Sequence, residues 1–493
     1  MADRELTLDS KYLLEEGTIL LSGIHALVRV PLDQHRADRR AGLRTATLIS
    51  GYRGSPLGGL DLTLERAQRI LSEHEIRFLP GVNEDLGATA VFGSQIAGLF
   101  PGAKYDGVLG MWYGKSPGVD RSGDAFKHAN FAGVSRTGGV LAVAGDDATA
   151  KSSTLPSQSE AAFYDALMPI LSPGSVQEVL DLGRYGFELS RVCGLWVGFK
   201  MATEVADAFA TAEVSPSRVA LVDPEFELDG KPFRATQSIH LLAPRSLALE
   251  REIYRGRLEA AKAFSRANRL NQIRVSTPGD RLGIAAPGKT YFDLREALSF
   301  FGLDDDALRR FGIRLFQVRM PFPLDPETAR EFGHGLEEVL VLEEKRPFLE
   351  LFLKDALYHE HSRPRIVGKP LVPAEGALDS DSIAQILAKR LAPYVAPLPF
   401  LLGLSPQPIH PRPRGLLRLR RHRLPRDGDV DGPLDHGHHP HGRRRRPVGG
   451  DGAVHRNRAP LSEPRRRHAL PLGDTGHPAG SGLRREHHLQ DPL

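Results

Sequence analysis

The chain has 493 residues, 65 of them basic and 61 acidic, and its formal net charge is +4. Its single cysteine, Cys193, excludes an internal disulfide, and the spacing of Cys and His excludes zinc or iron–sulfur ligation by this chain. The N-terminus lacks a basic, apolar leader and the apolar runs are strand-sized, so we expect a cytoplasmic protein that is neither secreted nor embedded in a membrane.

The charge is distributed unevenly along the chain. Residues 401–493 contain 18 Arg, 7 Asp and 2 Glu, and they contain no Lys, Phe, Tyr or Trp. Such a segment cannot bury enough apolar surface to offset the entropy of ordering it, so we predict a disordered tail. The basic character belongs to this tail, and the main body gives no electrostatic indication of nucleic-acid binding.

Short apolar runs alternate with longer mixed segments in the first half of the chain. The predicted buried strands are residues 45–49, 108–112, 140–144 and 195–199. The predicted helices between them are residues 57–74, 84–100 and 176–192. This alternation predicts a doubly wound α/β domain, in which ligands bind at the carboxyl ends of the parallel strands.

A second α/β unit follows a less regular region at 204–275, which ends in a charged helical stretch at 246–271. Its predicted strands are residues 282–286, 314–318 and 338–342, and its predicted helices are residues 292–301, 326–332 and 348–358. The predicted organisation is an N-terminal extension (1–44), a first α/β domain (45–230), a helical linker (231–275), a second α/β domain (276–372), a linker (373–400) and the tail (401–493).

The loop that follows the first predicted strand carries residues suited to a ligand. In Gly51-Tyr52-Arg53-Gly54-Ser55-Pro56, the glycines let backbone amides approach a ligand, Arg53 offers a bidentate cation, and Ser55 suits the cap of the next helix. An ordinary strand–turn–helix connection explains the same residues.

The helix predicted at 84–100 opens with Asn83 and Glu84. Asn83 suits the N-cap, and Glu84 suits the first turn, where the helix dipole favours negative charge. Capping alone explains both residues, and a functional role requires Glu84 to face a cleft. Residues 112–130, which include Lys127 and His128, follow a strand and mix residue types that contact ligands. Asp146 and Asp147 also follow a strand, but we predict no metal site there or elsewhere in the chain.

Residues 283–290 match the P-loop pattern G-x-x-x-x-G-K-[ST]. In a P-loop the strand precedes the first glycine, whereas here Ile284, Ala285 and Ala286 continue the apolar strand. We interpret the match as coincidence and keep a P-loop-like nucleotide binder as an alternative.

Taken together, the motifs resemble the fused, long-chain indolepyruvate ferredoxin oxidoreductases, which belong to the thiamine-diphosphate-dependent 2-oxoacid:ferredoxin oxidoreductase family. The segments that carry the resemblance are 50–59, 80–85, 104–107, 118–124, 126–130, 144–147 and 151–156. The resemblance extends over about residues 7–395. Members of the family are much longer, so the chain resembles their N-terminal portion.

The resemblance implies a pyrimidine-binding domain of the thiamine-diphosphate fold at 45–230 and a transketolase C-terminal-like domain at 276–372. It implies that Glu84 is the activating glutamate, which hydrogen-bonds N1′ of the cofactor's aminopyrimidine. The implied cofactor-binding residues are Gly51, Arg53, Gly54, Ser55, Pro56 and Asn83. The implied substrate-binding residues are Arg53, for the 2-oxoacid carboxylate, Lys127 and His128.

The resemblance also implies the reaction, an oxidative decarboxylation of a 2-oxoacid such as indolepyruvate or another aryl pyruvate. Ferredoxin would accept the electrons and coenzyme A the acyl group. Thiamine diphosphate would be the cofactor, with Mg²⁺ held by a diphosphate-binding module that this chain lacks, and iron–sulfur clusters would lie on missing or partner sequence. We expect the remaining oxidoreductase domains or subunits as partners and a homo-oligomer in the intact enzyme, with no nucleic acid or membrane bound.

The tail stands where the family's diphosphate-binding module begins. That module opens with a C-x-x-C-P-H-N segment and holds a G-D-G magnesium motif, and neither occurs here. One set of codons for residues 400–408, shifted by one base, reads S-C-S-A-C-P-H-N, and residues 463–468 under the same shift read N-L-G-D-G. We therefore hypothesise a frameshift near residues 393–400. The alternatives are a basic tail that binds nucleic acid and a catalytically inactive truncated chain that only packs with partners.

Overall fold

The structure, a computed structural model, describes residues 7–151 and 155–395. The strands of the described residues are β1 (Gly17–Ser22), β2 (Thr45–Gly51), β3 (Ile76–Phe78), β4 (Gly107–Lys115), β5 (Val140–Asp146), β6 (Ile170–Leu171), β7 (Val197–Ala202), β8 (Phe209–Val214), β9 (Glu227–Leu228), β10 (Lys231–Pro232), β11 (Gln272–Val275), β12 (Leu282–Pro287), β13 (Ile313–Val318), β14 (Glu338–Val341) and β15 (Arg365–Val367). The predictions made for residues 401–493 lie outside the described residues.

The helices of the described residues are α1 (Ser10–Leu13), α2 (Gly23–Arg40), α3 (Leu60–Arg66), α4 (Gln68–Glu73), α5 (Glu84–Ile96), α6 (Ser116–Arg121), α7 (Gly123–Ala132), α8 (Glu160–Asp165), α9 (Val176–Cys193), α10 (Thr203–Asp207), α11 (Arg245–Glu252), α12 (Leu258–Ala267), α13 (Gly288–Phe300), α14 (Asp305–Arg310), α15 (Pro326–Gly333), α16 (Leu349–Leu357) and α17 (Ser380–Leu391). A 3₁₀ turn, Ala97–Leu99, extends α5, and a π-helical turn, Ile253–Arg257, joins α11 to α12.

The first sheet has six strands in the order β3-β2-β4-β5-β7-β6, and all of its pairings are parallel. The central strands β4 and β5 are buried on both faces, as expected for a sheet covered by helices on both sides. The four predicted strands are confirmed, and each extends two or three residues further at its carboxyl end than the apolar run. The short edge strands β3 and β6 were missed because three and two residues are too few to show a pattern.

Helices α2 and α9 pack against each other beside this sheet. Ser22 caps α2 in a capping box with His25, and Ser175 caps α9, which ends at Gly194 in the left-handed conformation. Strands β1 and β8 form an antiparallel ribbon next to the pair. Residues predicted as an N-terminal extension therefore supply a helix and a strand that pack on the first α/β unit.

The second sheet has five strands in the order β11-β13-β12-β14-β15, of which only β11 is antiparallel to its neighbour. Separate apolar clusters cover its two faces. Residues 373–395, predicted as linker, include α17, whose Ile383, Leu387 and Leu391 are buried in one of these clusters. The fold class is confirmed: both sheets are parallel or mostly parallel and are layered between helices.

The two sheets meet along β6, the start of α9 and the segment after β13. The backbone N–H of Ile170 donates to the carbonyl of Phe322 at 2.7 Å, and that of Ser172 donates to the carbonyl of Arg319 at 2.8 Å. The carboxylate of Glu178 accepts from Arg319 at 2.7 Å and from Gln317 at 2.8 Å. These buried polar contacts fix the orientation of the two sheets in the described residues.

The P-loop alternative is contradicted by the structure. β12 runs through Gly283, and a Cβ on that residue would stand 2.5 Å from a Leu336 methyl group, so this glycine serves core packing. Lys289 is buried and its Nζ donates to Asp293 at 2.7 Å and to the carbonyl of Leu378 at 2.9 Å. The ammonium group of Lys289 is therefore paired with groups of the protein itself and does not face a loop that could bind phosphate.

Candidate active site

Two loops and the start of a helix converge at the carboxyl edge of the first sheet. They follow the neighbouring strands β3, β2 and β4, which pair in parallel, so their ends lie side by side. The loops are residues 79–83 and residues 52–59, and the helix is α6, which begins directly after β4. Helix α5 begins with Glu84 directly over the ends of β2 and β4, and this edge is therefore the candidate site.

Glycines let the start of α5 approach the end of β2 at backbone distance. The N–H of Gly81 donates to the carbonyl of Gly51 at 2.8 Å. A Cβ on Gly87 would lie 2.8 Å from Cα of Gly51, and a Cβ on Gly51 would lie 2.0 Å from the carbonyl oxygen of Tyr113. No side chain larger than hydrogen fits at these contacts, so the three glycines set where α5 starts.

Two more glycines enclose the side chain of Glu84. A Cβ on Gly118 would lie 2.5 Å from Cγ of Glu84, and a Cβ on Gly114 would lie 3.4 Å from the same atom. Trp112 donates its indole N–H to the backbone carbonyl of Glu84 at 2.9 Å, which anchors the first turn of the helix. We call Gly114, Gly118 and Trp112 the Glu84 cradle.

The side chain of Glu84 is buried at this edge, yet its carboxylate makes no polar contact with another described residue. The residue is only 6% exposed. Its side chain has no hydrogen bond or ion pair with any other residue that the structure describes. Asn83 is the N-cap as predicted, and its Oδ1 accepts from the N–H of Leu86 at 2.8 Å. Capping is thus done by Asn83, and Glu84 is left available for a ligand.

The loop after β2 lies beside the cradle, but its residues differ in role. Pro56 packs on Gly145 at the end of β5, and Gly54 lies against the side chain of Lys115. Arg53 is exposed and forms no hydrogen bond or ion pair with another described residue, although its charge acts on the nearby Asp61. The prediction that Ser55 caps the next helix is wrong, because α3 begins at Leu60. The helix predicted at 57–74 is in fact two helices, α3 and α4.

A half-buried acid, Asp61, and a buried phenol, Tyr113, lie under this loop. Burial raises the pKa of the Asp61 carboxyl, and the neighbouring Tyr113 hydroxyl and Arg53 guanidinium act in the opposite direction. Burial, followed by the charge of Asp61, raises the pKa of the Tyr113 phenol. The phenol therefore stays protonated at neutral pH and serves as a fixed polar group behind the Arg53 loop.

Lys127 and His128 are not brought together with Glu84. Lys127 forms an exposed ion pair with Asp165 at 2.6 Å. The Nδ1 of His128 lies 3.0 Å from the carbonyl oxygen of Asp124, one turn back on α7. Neither side chain has a polar contact with Glu84 or with residues 51–56 in the described part of the chain, so direct substrate contact by them finds no support in this geometry.

Lys200 is a polar residue at this edge that sequence reasoning missed. It lies near the end of β7, where its Nζ is 2.5 Å from Glu160 and 3.6 Å from Asp146. Burial raises the pKa of Asp146, an effect that the charge of Lys200 opposes. The hydroxyl and N–H of Ser159 also donate to Asp146, at 3.1 and 3.0 Å. The sequence feature that could have identified it is a lysine within the apolar run of β7.

Comparison with known proteins agrees with the fold. The family model for an indolepyruvate oxidoreductase domain matches residues 272–396. Indolepyruvate oxidoreductase subunit IorA of Pyrococcus horikoshii is 26% identical over 291 residues, which cover 59% of this chain and 43% of the relative. The same subunit of Thermococcus kodakarensis is 24% identical over 375 residues, covering 76% and 52% of the two chains. The chain is similar to indolepyruvate oxidoreductase subunits.

A solved structure extends this similarity to the fold. It is the 2-oxoglutarate:ferredoxin oxidoreductase of Magnetococcus marinus with 2-oxoglutarate, coenzyme A and succinyl-CoA bound. The TM-score is 0.55 at 15% identity, and the match covers 76% of this chain and 66% of that one. The chain spans about half the length of the curated relatives it matches. In residues 7–151 and 155–395, no helix combines the length and the apolar character needed to cross a bilayer.

Proposed function

We propose that this chain is the pyrimidine-binding half of a thiamine-diphosphate-dependent 2-oxoacid:ferredoxin oxidoreductase. Its substrate is indolepyruvate or another aryl pyruvate, with coenzyme A as acyl acceptor and ferredoxin as electron acceptor. The observation that carries the proposal is the carboxylate of Glu84, which is buried at the carboxyl edge of a parallel sheet and has no partner among the described residues.

The residues at this edge fit an aminopyrimidine ring. Glu84 can hydrogen-bond a ring nitrogen, because its carboxylate is unpaired and its backbone is anchored by Trp112. The surrounding glycines let neighbouring elements approach Glu84 closely, so the carboxyl group is held in a defined position from which it can meet a ring nitrogen. When bound, thiamine diphosphate supplies the carbanion that attacks and decarboxylates a 2-oxoacid. Glu84 would hold and move the proton at the ring nitrogen.

The remaining assignments follow from this placement. Arg53 is exposed beside the cradle, where a guanidinium can bind a carboxylate with two hydrogen bonds, so we assign it to the 2-oxoacid carboxylate. Gly51 and Gly54 provide backbone access, and Ser55 and Pro56 shape the loop. The diphosphate, Mg²⁺ and iron–sulfur clusters belong to sequence beyond the two α/β units, and we propose a fused chain whose frame is shifted near residues 393–400.

A titration of the full chain tests whether the cradle binds the cofactor. Trp112 is a built-in reporter, and in a Trp196→Phe background it is the only tryptophan of the chain. Thiamine diphosphate with Mg²⁺ should quench its fluorescence saturably, and Gly118→Val should abolish the quenching by displacing the side chain of Glu84. Lack of quenching would favour the alternative that the chain is an inactive truncated product that only packs with partners.

A second experiment tests the chemistry in the longer protein encoded once the frame is restored. Sequencing the gene through the tail comes first, and a correct read without a shift refutes the frame hypothesis. In the restored protein, Glu84→Gln should keep cofactor binding but slow exchange of the thiazolium C2 proton by about 100-fold or more, as expected for loss of a general acid–base group. Unchanged exchange by NMR would remove Glu84 from the mechanism.

A further inference from the structure

A cavity of about 430 Å³ lies at the opposite, amino-terminal edge of the first sheet. It is bounded by Leu43, which precedes β2, by Arg136, which precedes β5, and by the end of α9. Since β2 has seven residues, this edge is roughly 20 Å from the Glu84 cradle. The cavity is therefore separate from the candidate active site, and its volume lies in the range of about 300–1,000 Å³ typical of small-molecule pockets.

The walls of the cavity are apolar and aromatic. Phe233 and Phe264 are buried in them, and Phe226 packs edge-to-face on Phe233 with ring centroids 5.5 Å apart. Val192, at the end of α9, completes the apolar lining. Such walls suit a flat hydrocarbon body, because aromatic rings pack well edge-to-face or offset against one another.

The charged groups of the cavity leave an excess of positive charge. Arg191 is fully engaged, with Asp38 at 2.8 Å and Glu188 at 2.9 Å. Arg184 donates hydrogen bonds from Nε to Gln34 and from Nη1 to a backbone carbonyl, and its Nη2 has no partner among the described residues.

Two further arginines lack an acidic partner. Arg136 is exposed and has no hydrogen bond or ion pair in the described part of the chain, and Arg234 donates only to the carbonyl of Phe233. The one opposing carboxylate on the cavity that is not already bound to an arginine is Asp223. Guanidinium groups with free N–H donors beside an apolar wall are the groups that recognise a carboxylate bidentately.

We propose that this cavity is a binding site for an aromatic carboxylate, with the ring between Phe226, Phe233 and Phe264 and the carboxylate on Arg136 and Arg234. The site is additional to the proposed function and does not depend on it. The probe is indole-3-acetate, which offers both features, and its amide is the matched ligand without charge.

The test is isothermal titration of the full chain with both probes. We expect one saturable site for indole-3-acetate and affinity at least tenfold lower for indole-3-acetamide. Arg136→Gln combined with Arg234→Gln should weaken binding tenfold or more, as expected for charged hydrogen bonds. Asp223→Asn should strengthen it, and Arg245→Gln, an exposed arginine of α11 outside the cavity, should leave it unchanged.

Three results overturn the proposal: no saturable binding of indole-3-acetate, equal binding of the amide, or binding that survives the arginine pair. Loss of binding in Arg53→Gln with full binding in the double variant would place the ligand at the Glu84 edge and also overturns it. Circular dichroism and thermal unfolding of each variant separate a lost site from a lost fold.

Discussion

Gly118→Ala tests whether the position of the Glu84 carboxyl controls the proposed chemistry. The added methyl group would stand 2.5 Å from Cγ, 3.0 Å from Oε1 and 3.1 Å from Cδ of Glu84. Carbon atoms in contact are about 3.5–4.0 Å apart, so the side chain must move by about 1 Å. The helix itself is not harmed, because alanine is up to about 1 kcal/mol more favourable than glycine in a helix interior.

The two effects predict a variant that is folded but slow. A misplacement of about 1 Å can lower an enzymatic rate about 100-fold. We expect that loss in 2-oxoacid-dependent reduction of a viologen dye by the frame-restored protein, and a free energy of unfolding within about 1 kcal/mol of the parent. On the present chain, the indole N–H resonance of Trp112 should not move, because its acceptor is the backbone carbonyl of Glu84.

Gly93→Ala is the matched control for this experiment. It lies on the same helix as Glu84, and a Cβ there meets nothing within 4 Å. It should keep full turnover and gain about 0.5–1 kcal/mol in stability. Full turnover in Gly118→Ala would refute the reasoning. An equal loss in Gly93→Ala would show that the defect comes from α5 as a whole rather than from the carboxyl group.

Two further predictions concern stability. Arg257→Met should cost about 3–5 kcal/mol in urea unfolding. It removes a fully buried guanidinium and leaves its partners unpaired, namely the half-buried carboxylate of Glu252, 2.9 Å away, and the carbonyls of Asn130 and Thr236. Lys262→Met, which breaks a more exposed pair, should cost about 1 kcal/mol or less, and similar costs for the two variants would contradict the burial argument. Burial lowers the pKa of His35 to about 4 from 6.5, and its Nε2 lies 2.7 Å from the Thr47 hydroxyl. Between pH 6.5 and pH 4 the unfolded chain takes up a proton on His35 and the folded chain does not. The free energy of unfolding should therefore fall by up to about 3 kcal/mol as the pH drops from 6.5 to 4. His35→Gln should flatten this pH dependence, and an unchanged slope in unfolding titrations would disprove the prediction.

The fold class followed from the sequence because buried parallel strands form continuous apolar runs. The strands ended too early in the prediction for a physical reason: the last residues of β2, β4 and β5 are Gly51, Lys115 and Asp146, which are not apolar. The backbone ladder continues through them, since main-chain hydrogen bonding does not depend on the side chain. Apolar patterning therefore stops where the candidate site begins.

The packing of residues 7–40 was not predictable from periodicity. Helix α2 buries Arg29, Gln34 and Asp38 as well as apolar residues, which obscures its apolar stripe. These polar groups are satisfied by distant partners: Asp38, for example, pairs with Arg191 of α9. Such partners are far apart in sequence, and only the folded chain shows that a charged residue belongs to the interior.

The role of the residues at the candidate site was likewise not predictable from sequence alone. Asn83 and Glu84 were correctly placed at the start of a helix, but capping explained both residues equally well from sequence. The structure separates them: Asn83 Oδ1 caps α5, whereas the Glu84 carboxylate has no partner in the described residues. What distinguishes Glu84 is an environment built from glycines on other elements, such as Gly114 and Gly118. Because glycines act here by absence of a side chain, substitution to alanine, rather than removal of a functional group, is the direct way to test this site.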